Sequence, residues 1–533
     1  MQLIDQHTKK IMEECKARAR DAGLQFDPDT LEYIVTNRDL ITLSPKIMIP
    51  TLYDYWVNDV EVLKEQGKYK LSPSNPYETV INSRPAISFY NDNNPDWMNI
   101  FIFYHVLAHI DFFQNNRLFE KTWGDDFVGK ALADKRLLNS LRSEHGRWVD
   151  YVIEFSRGIN NLVGYFDELA IQGFPPEMNA PEKLDFYFGA FLQEIVGVPE
   201  SEIYKEVAQY NALLKQDENL GESWFFNEVR KKYPEFQSKY NQYLKRRETP
   251  RSLDVLEYIR DHSPFLQKER NEWMKLVMSI VRNTALYFEP QIRTKIINEG
   301  WASYWHDELF RQDARIRGHE IAYARINAAV TSVSRVGLNP YAIGLRLVQY
   351  VEELAGKGKL DFRFQQNPSI AYRENYNQQT QQGREAIFAL RKHFSDFTLI
   401  NTFVDQDFVD AHDLFVMGRR VDADRGVYQY YVKSRRGEDY KKMLVDSLYH
   451  PPRITVEEEN TDDDNLYLVH HFEGKPLIKE FIRDTLLGIE FLWGAPVQLE
   501  TTEMYASDFE DEEYDEVRVL YTMRNRQLIK EEL

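Results

Sequence analysis

The sequence predicts an α+β protein: a large, mainly helical N-terminal domain over 1–360, a polar Gln/Asn-rich connector and helix over 361–395, and a smaller C-terminal mixed α/β domain over 396–533. Three observations predict it. Apolar residues recur at helical spacing through most of the chain up to Arg311. The texture then turns polar, as in Asn377-Gln-Gln-Thr-Gln-Gln-Gly383. Beyond residue 396, short β-prone runs accumulate around two helical segments.

Taken in order, residues 1 to 24 read as a helix, followed by Gly23, Pro28 and an extended stretch at Tyr33-Ile-Val35. Pro45, Pro50, Pro73 and Pro76 punctuate a loop-rich region that leads to Tyr77-Glu-Thr-Val-Ile-Asn82. The apolar run from Trp97 to Phe119 exceeds strand length and predicts a buried helix. Helical spacing continues over 130–172, 181–216, 222–244 and 252–288, with breaks at Pro175-Pro176, Gly197-Val-Pro199 and Thr249-Pro250. A further helix is expected from Pro290 to Arg311. In the last third, strands are predicted at Val427–Val432, Arg453–Val456, Leu466–Val469, Val497–Thr501 and Val517–Tyr521, with helices near 437–448 and 476–492. The acidic runs Glu457–Asp464 and Asp508–Glu516 lack a calcium-loop pattern and read as solvated loops that blunt strand edges.

Composition narrows the function. The 533 residues carry 66 Lys+Arg against 85 Asp+Glu, a net charge of −19, which repels phosphate backbones. The basic clusters Lys245-Arg-Arg247 and Lys433, Arg435, Arg436 are too short to offset it, so no nucleic acid is expected as a partner. Hydrophobic content of 43% with 14% aromatic residues excludes a disordered chain. A single cysteine, Cys15, excludes a disulfide framework or a cysteine-based zinc cage. The N-terminus lacks a secretory h-region, and the greasiest stretch, Met98–Phe113, is interrupted by Asn99, His105, His109 and Asp111. A soluble, cytoplasmic protein without a membrane span is expected.

Phosphate loops, dinucleotide turns and serine-nucleophile elbows are absent from the sequence. The chemistry-bearing feature is His105-Val-Leu-Ala-His109. On a helix, residues four apart differ by about 40°, so both imidazoles leave one face and can share a metal. With 12 His in 533 residues, such a pair arises by chance about one time in four, and core histidines satisfied by carbonyls explain it equally. A second segment, Ile297-Asn-Glu-Gly-Trp-Ala-Ser-Tyr-Trp-His306, puts Glu299, Ser303 and His306 on one helical stripe. Together the segments suggest a zincin-like two-helix site: His105, His109 and Glu299 as metal ligands, with His306, Asn116 and Ser303 as supports or a fourth ligand. The alternative is a Trp- and Tyr-rich core helix whose Glu pairs with an arginine. Zinc peptidases place a general-base glutamate directly after the first histidine, where this chain has Val106. Substitute bases would be His306, or Glu144 and His145, and no catalytic residue is assigned. Asp111 points away from the histidine face.

At these residues the chain resembles the stage V sporulation protein R (SpoVR)-like family of bacteria. The resemblance rests on Tyr77-Glu-Thr-Val-Ile-Asn-Ser83 with Pro85, on His105-Val-Leu-Ala-His109-Ile-Asp-Phe-Phe-Gln-Asn-Asn116, and on Phe288-Glu-Pro-Gln-Ile with Asn298-Glu-Gly-Trp-Ala-Ser-Tyr-Trp-His306. Asn339-Pro-Tyr with Gly344, Leu466-Tyr-Leu with Glu473-Gly, and Leu492-Trp-Gly through Thr501 complete it. Two elements depart: Tyr53-Asp-Tyr-Trp56 lacks the family's histidine, and Leu141-Arg-Ser-Glu-His-Gly146 lacks its Tyr-Glu pair. The resemblance implies a setting in spore-cortex formation, or in stress-linked cell-envelope assembly where the host does not sporulate. It also implies partners from a neighbourhood of a PrkA-type kinase and a von Willebrand-type protein.

Three functional readings follow. The first is a metal-dependent hydrolase, with zinc or iron as cofactor and an amide-like substrate, without the usual glutamate base. The second is a non-catalytic regulator or scaffold that docks protein partners, with a structural histidine pair. The third is a redox iron site, since two histidines and a carboxylate also suit non-haem Fe(II).

Overall fold

Fifteen consecutive residues, Asn99–Phe113, are buried, and a helix buried on every side belongs at the centre of a core. The computed structural model of the protein describes residues 2–36, 78–122, 126–164, 182–198, 200–216, 221–247, 253–333, 337–360, 364, 372–373, 375–422, 427–506 and 514–533. The Pro45–Pro76 punctuation, the Tyr53–Trp56 departure, Tyr77, Pro175-Pro176, Pro199, Thr249-Pro250, residues 361–363, 365–371 and 374 of the polar connector and residues 508–513 of the second acidic run lie outside them.

Chain order begins with β1 (Gln2–Leu3), α1 (Gln6–Asp21), β2 (Thr30–Val35), β3 (Glu78–Ile81) and β4 (Ala86–Asn91). Then come α2 (Asp96–Asn115), α3 (Phe127–His145) and α4 (Trp148–Arg157). A π-helical stretch, Phe186–Ile195, precedes α5 (Glu200–Gln216), α6 (Gly221–Lys232) and α7 (Phe236–Arg247). Next are α8 (Val255–His262), α9 (Glu272–Arg293), α10 (Lys295–Gln312), α11 (Glu320–Thr331) and α12 (Pro340–Gly356). They are followed by α13 (Gly383–His393), α14 (Asp396–Phe403), α15 (Gln406–Ala411), the hairpin β5 (Val416–Asp422) and β6 (Val427–Ser434), and α16 (Gly437–Ser447). The chain closes with β7 (Ile454–Val456), β8 (Leu466–His470), α17 (Lys479–Trp493), β9 (Val497–Ala506), β10 (Tyr514–Arg524) and β11 (Gln527–Glu532).

The protein is therefore mixed α+β and mostly helical, with a sheet-rich C-terminal region, as the sequence predicts. Two compact units divide it: Met1–Tyr165 with Asp254–Leu533, and Phe166–Leu253. The smaller unit has its own aromatic core of Phe186, Tyr187, Phe191, Phe225, Phe226 and Phe236. The larger unit contains two apolar clusters. In one, α2 and α10 pack with α1, α12, α13 and α14 around Phe103, Phe112, Trp301 and Trp305. In the other, α4, α8, α9 and α17 pack with the C-terminal sheet.

An N-terminal sheet ordered β1-β2-β4-β3 flanks α2, and the C-terminal sheet runs β11-β10-β9-β8-β7. Its β8 and β9 are parallel, joined through α17 because a parallel pair needs a long crossover. Among the described residues no helix is long and apolar enough to cross a membrane.

Several boundaries depart from the sequence reading. The expected helix Pro290–Arg311 is two: Pro290 lies within the last turn of α9, and α10 begins at Lys295. Near a helix end a proline forfeits only one backbone bond, and Thr294 returns a side-chain bond to the Pro290 carbonyl. A tertiary cap starts the new helix: Asp396 accepts from the amides of Ile296 and Ile297, both at 2.8 Å. The expected helical stretch 130–172 breaks at Gly146, whose φ is +61°. Strands β1, which lies in the stretch read as helix, β3, β4, β5 and β11 are not expected from the sequence; in β5 and β11 the charged residues of Met417-Gly-Arg-Arg420 and Leu528-Ile-Lys-Glu-Glu532 hide the apolar alternation.

Candidate metal centre

Helices α2 and α10 carry the two predicted segments, and their side chains meet in the first core. His105 Nε2 and His109 Nε2 are 3.1 Å apart. Glu299 Oε2 stands 3.9 Å from the first and 3.5 Å from the second. A triangle with these edges has its equidistant point about 2 Å from every corner, the length of a metal–imidazole or metal–carboxylate bond. The three residues form a cluster with ligand-type atoms all within 4.8 Å of one another.

Hydrogen bonds on the far side of each ring decide what these atoms offer. His109 Nδ1 lies 2.9 Å from Asn298 Oδ1, an acceptor, so the proton sits on Nδ1 and Nε2 keeps its lone pair. His105 Nδ1 lies 2.8 Å from His306 Nδ1, and the Ala302 carbonyl also accepts from the His105 ring. His306 Nε2 is bound to Asn327 Oδ1 at 3.0 Å. Both nitrogens of His306 are thus engaged outside the triangle, which makes it a support for His105. The Tyr341 hydroxyl donates to Glu299, while Glu299 Oε2 is buried without a hydrogen-bond partner.

Burial governs the charges. It pushes His105 well below its usual pKa, helped by His109 and His306, and lowers His109 to about 4 against the Asn298 hydrogen bond. His306 is likewise held at about 4. Neutral imidazoles are the metal-binding form. Burial also lifts the Glu299 carboxyl to about 7, opposed by the Tyr341 bond and by Lys295. Glu299 keeps 16% side-chain exposure against 6% and 7% for the two histidines, although the oxygen that faces them, Oε2, is buried.

Helix packing brings Tyr341 to this carboxylate. Gly300 and Gly344 let α10 and α12 cross backbone to backbone, because a Cβ at Gly300 would lie 2.2 Å from the Gly344 carbonyl carbon. Asn339 caps α12 through the amides of Tyr341 and Ala342. The Tyr341 ring also stacks 6.1 Å from His105.

The remaining predicted residues have other surroundings. Ser303 is buried on α10 with an Oγ that makes no hydrogen bond. Asn116 spends its amide on the carbonyls of Arg391 and Phe394, at 2.8 and 3.0 Å, and its oxygen on the Leu118 amide. His145 stacks on Trp273, 4.2 Å away, beside the second core, with Glu144 next to it. Asp111 does turn away from the histidines, taking bonds from Trp301 Nε1 and the Gln25 amide and facing Arg391. Val106, where a zinc peptidase has its base, is fully buried.

Sequence reasoning missed Asn298, Asn327 and Tyr341 as partners of the cluster. Asn298 is adjacent to Glu299, and its presence in the same helical turn was the available signal. Asn327 left none, since only the tertiary position of α11 brings it to His306.

Comparison with known proteins is consistent over most of the chain. No solved structure matches. The chain is similar to the uncharacterized protein YcgB of Escherichia coli (strain K12), with 22% identity over 488 residues, covering 88% of this chain and 86% of that protein. A family profile described as SpoVR like protein matches residues 4–450. That span holds α2, α10 and every residue of the cluster, and with it the chain belongs to the SpoVR family.

Proposed function

We propose that this protein holds one divalent metal ion, zinc or iron, at His105, His109 and Glu299, in a zincin-like arrangement on two buried helices. One observation carries the reading: two lone-pair nitrogens and a carboxylate oxygen, all shielded from water, converge on one point. Acceptors facing acceptors repel, and a cation is the partner this donor set fits. A bound ion supplies Lewis-acid polarisation of a carbonyl or amide substrate.

The chain's own groups do the rest. Asn298 and His306 hold the imidazoles, Tyr341 holds the carboxylate, and the apolar walls of α2 and α10 exclude water. Hydrolysis of an amide here takes its base from a group other than residue 106. In the cell, the reading is a cytoplasmic protein serving spore-cortex formation or stress-linked envelope assembly, with the PrkA-type kinase and von Willebrand-type protein as partners.

A second reading, a non-catalytic regulator with a structural ion, is favoured by depth. His105 and His109 keep only 6% and 7% side-chain exposure, and Glu299 Oε2 is buried.

Elemental analysis of untagged protein purified without chelators tests the site, beside a His105→Ala/His109→Ala variant. Near-stoichiometric metal lost in the variant supports it, and no metal in either sinks it. Azide added to the Co²⁺-loaded protein separates the two readings: a spectral shift means an open coordination position, as a catalyst needs, and no shift favours the structural role.

A further inference from the structure

The hydrogen-bond chain behind His105 does not end at His306. Asn327, on α11, accepts from His306 Nε2 through Oδ1 at 3.0 Å and donates through Nδ2 to Asp307 Oδ1 at 3.3 Å. The same Asp307 oxygen also takes the Tyr323 hydroxyl at 2.5 Å and Arg311 Nε at 2.8 Å. Three donors on one carboxylate oxygen make it an acceptor, and each later step then has one solution. Asn327 must turn its NH₂ to Asp307, which leaves its carbonyl to face His306. A carbonyl cannot donate, so the His306 proton sits on Nε2 and its Nδ1 is a lone pair. That lone pair, 2.8 Å from His105 Nδ1, requires the His105 proton to be on Nδ1.

We infer that Asp307 and Asn327 are positioning residues which, acting through His306, fix the tautomer of His105 and so present its Nε2 lone pair to His109 and Glu299. Neither residue touches the cluster. The use of the relay rests on the metal reading, whereas the tautomer itself can be read without metal. The two ligand histidines are then set independently, His109 by Asn298 of α10 and His105 by a relay anchored on α11 that acts beside the Ala302 carbonyl, which accepts from the same ring. Tyr323 is the buried residue of α11, and it docks that helix with its ring 4.2 Å from Phe310. Position of α11 and ligand readiness of His105 are thereby joined in one structural element.

The test uses the full-length, metal-free protein with ¹⁵N-labelled histidine, read by long-range ¹H–¹⁵N spectra at neutral pH, with His105→Ala and His306→Ala for assignment. The wild type is expected to show His105 protonated on Nδ1 and His306 protonated on Nε2. Asp307→Asn, which frees the Asn327 amide to turn over, and Asn327→Leu, which removes it, should each move the His306 pattern and weaken Co²⁺ binding about 10- to 100-fold. Asn327→Asp, which keeps an acceptor on His306 although it sets a second carboxylate against Asp307, should retain the wild-type proton on His306 Nε2. A wild-type His105 protonated on Nε2, or spectra and affinity unmoved by Asp307→Asn and Asn327→Leu, overturns the inference. If the wild-type tautomers are as expected but Co²⁺ and Zn²⁺ do not bind, the metal reading and the positioning role fall together, and the relay stands only as a structural chain.

Discussion

Gly300 and Gly344 occupy one another's side-chain space: a Cβ built on Gly344 would sit 2.0 Å from the Ile296 carbonyl oxygen and 2.8 Å from the Gly300 α-carbon. The atoms met are backbone and cannot swing aside. Gly300→Ala or Gly344→Ala should therefore part α10 from α12 and destabilise the protein by about 1–3 kcal/mol or more. The same parting draws Tyr341 away from Glu299, so metal affinity should fall along with the urea midpoint. An unchanged midpoint in both variants would mean that the helices do not cross there.

Asp396 starts the helix that carries Glu299. Its carboxylate is buried and accepts two α10 amides, and removing it leaves both unpaired in the core. Asp396→Ala should cost about 2–4 kcal/mol in denaturant unfolding. Asp396→Asn retains one acceptor and should fall between the two.

Glu299→Gln separates what the site costs from what it does. Without metal, the buried carboxylate faces two lone pairs, and its pKa is raised to about 7 by that burial. The near-isosteric amide should leave the metal-free protein as stable as the wild type or more stable. With Zn²⁺ present the order should reverse, because the wild type alone gains from ligation. Calorimetry with and without Zn²⁺ reads both halves, and the absence of a crossover would contradict ligation by Glu299.

Acid should loosen the contact between α10, α1 and α2 at Asp313. Burial would raise this carboxyl, but side-chain and backbone bonds from Arg315 and the Tyr104 hydroxyl outweigh it and hold the pKa at about 2. The folded value lies below the ordinary 3.8, so the stabilisation is complete above about pH 4 and is lost as pH falls towards 2. The stability gap between wild type and Asp313→Asn should accordingly close over that window. A gap that is constant from pH 5 to pH 2 would rule the linkage out.

What was legible in the sequence follows from how far apart the determining residues lie. His105 and His109 share a face because helix geometry fixes it, and Glu299, Ser303 and His306 share a stripe for the same reason. Local periodicity also predicted most strands of the last third. Asp396 and Asn327 could not be read, since a cap supplied from 100 residues away and a support on another helix carry no periodic signal. The sequence reading likewise set no boundary around Phe166–Leu253, because the Pro175-Pro176 and Thr249-Pro250 breaks near its ends look no different from the Gly197-Val-Pro199 break inside it. Pro290 reads as a helix start because a first-turn proline loses no intrahelical bond, whereas in the last turn of α9 it forfeits one, and only the tertiary cap from Asp396 shows where the next helix begins.

The separation of the two helices along the chain has a consequence during synthesis. His109 and its partner Asn298 are 189 residues apart, and a ribosome adding about 5–20 residues per second takes about 10–40 seconds to cover that interval. Through that time the nascent chain carries α2, apolar on nearly every face, without the helix that covers it. The histidines emerge well before their carboxylate, and a chain halted in between would expose a sticky helix rather than a partial site. Chaperone engagement during translation, more than the final stability, would then set how much of this protein a cell accumulates.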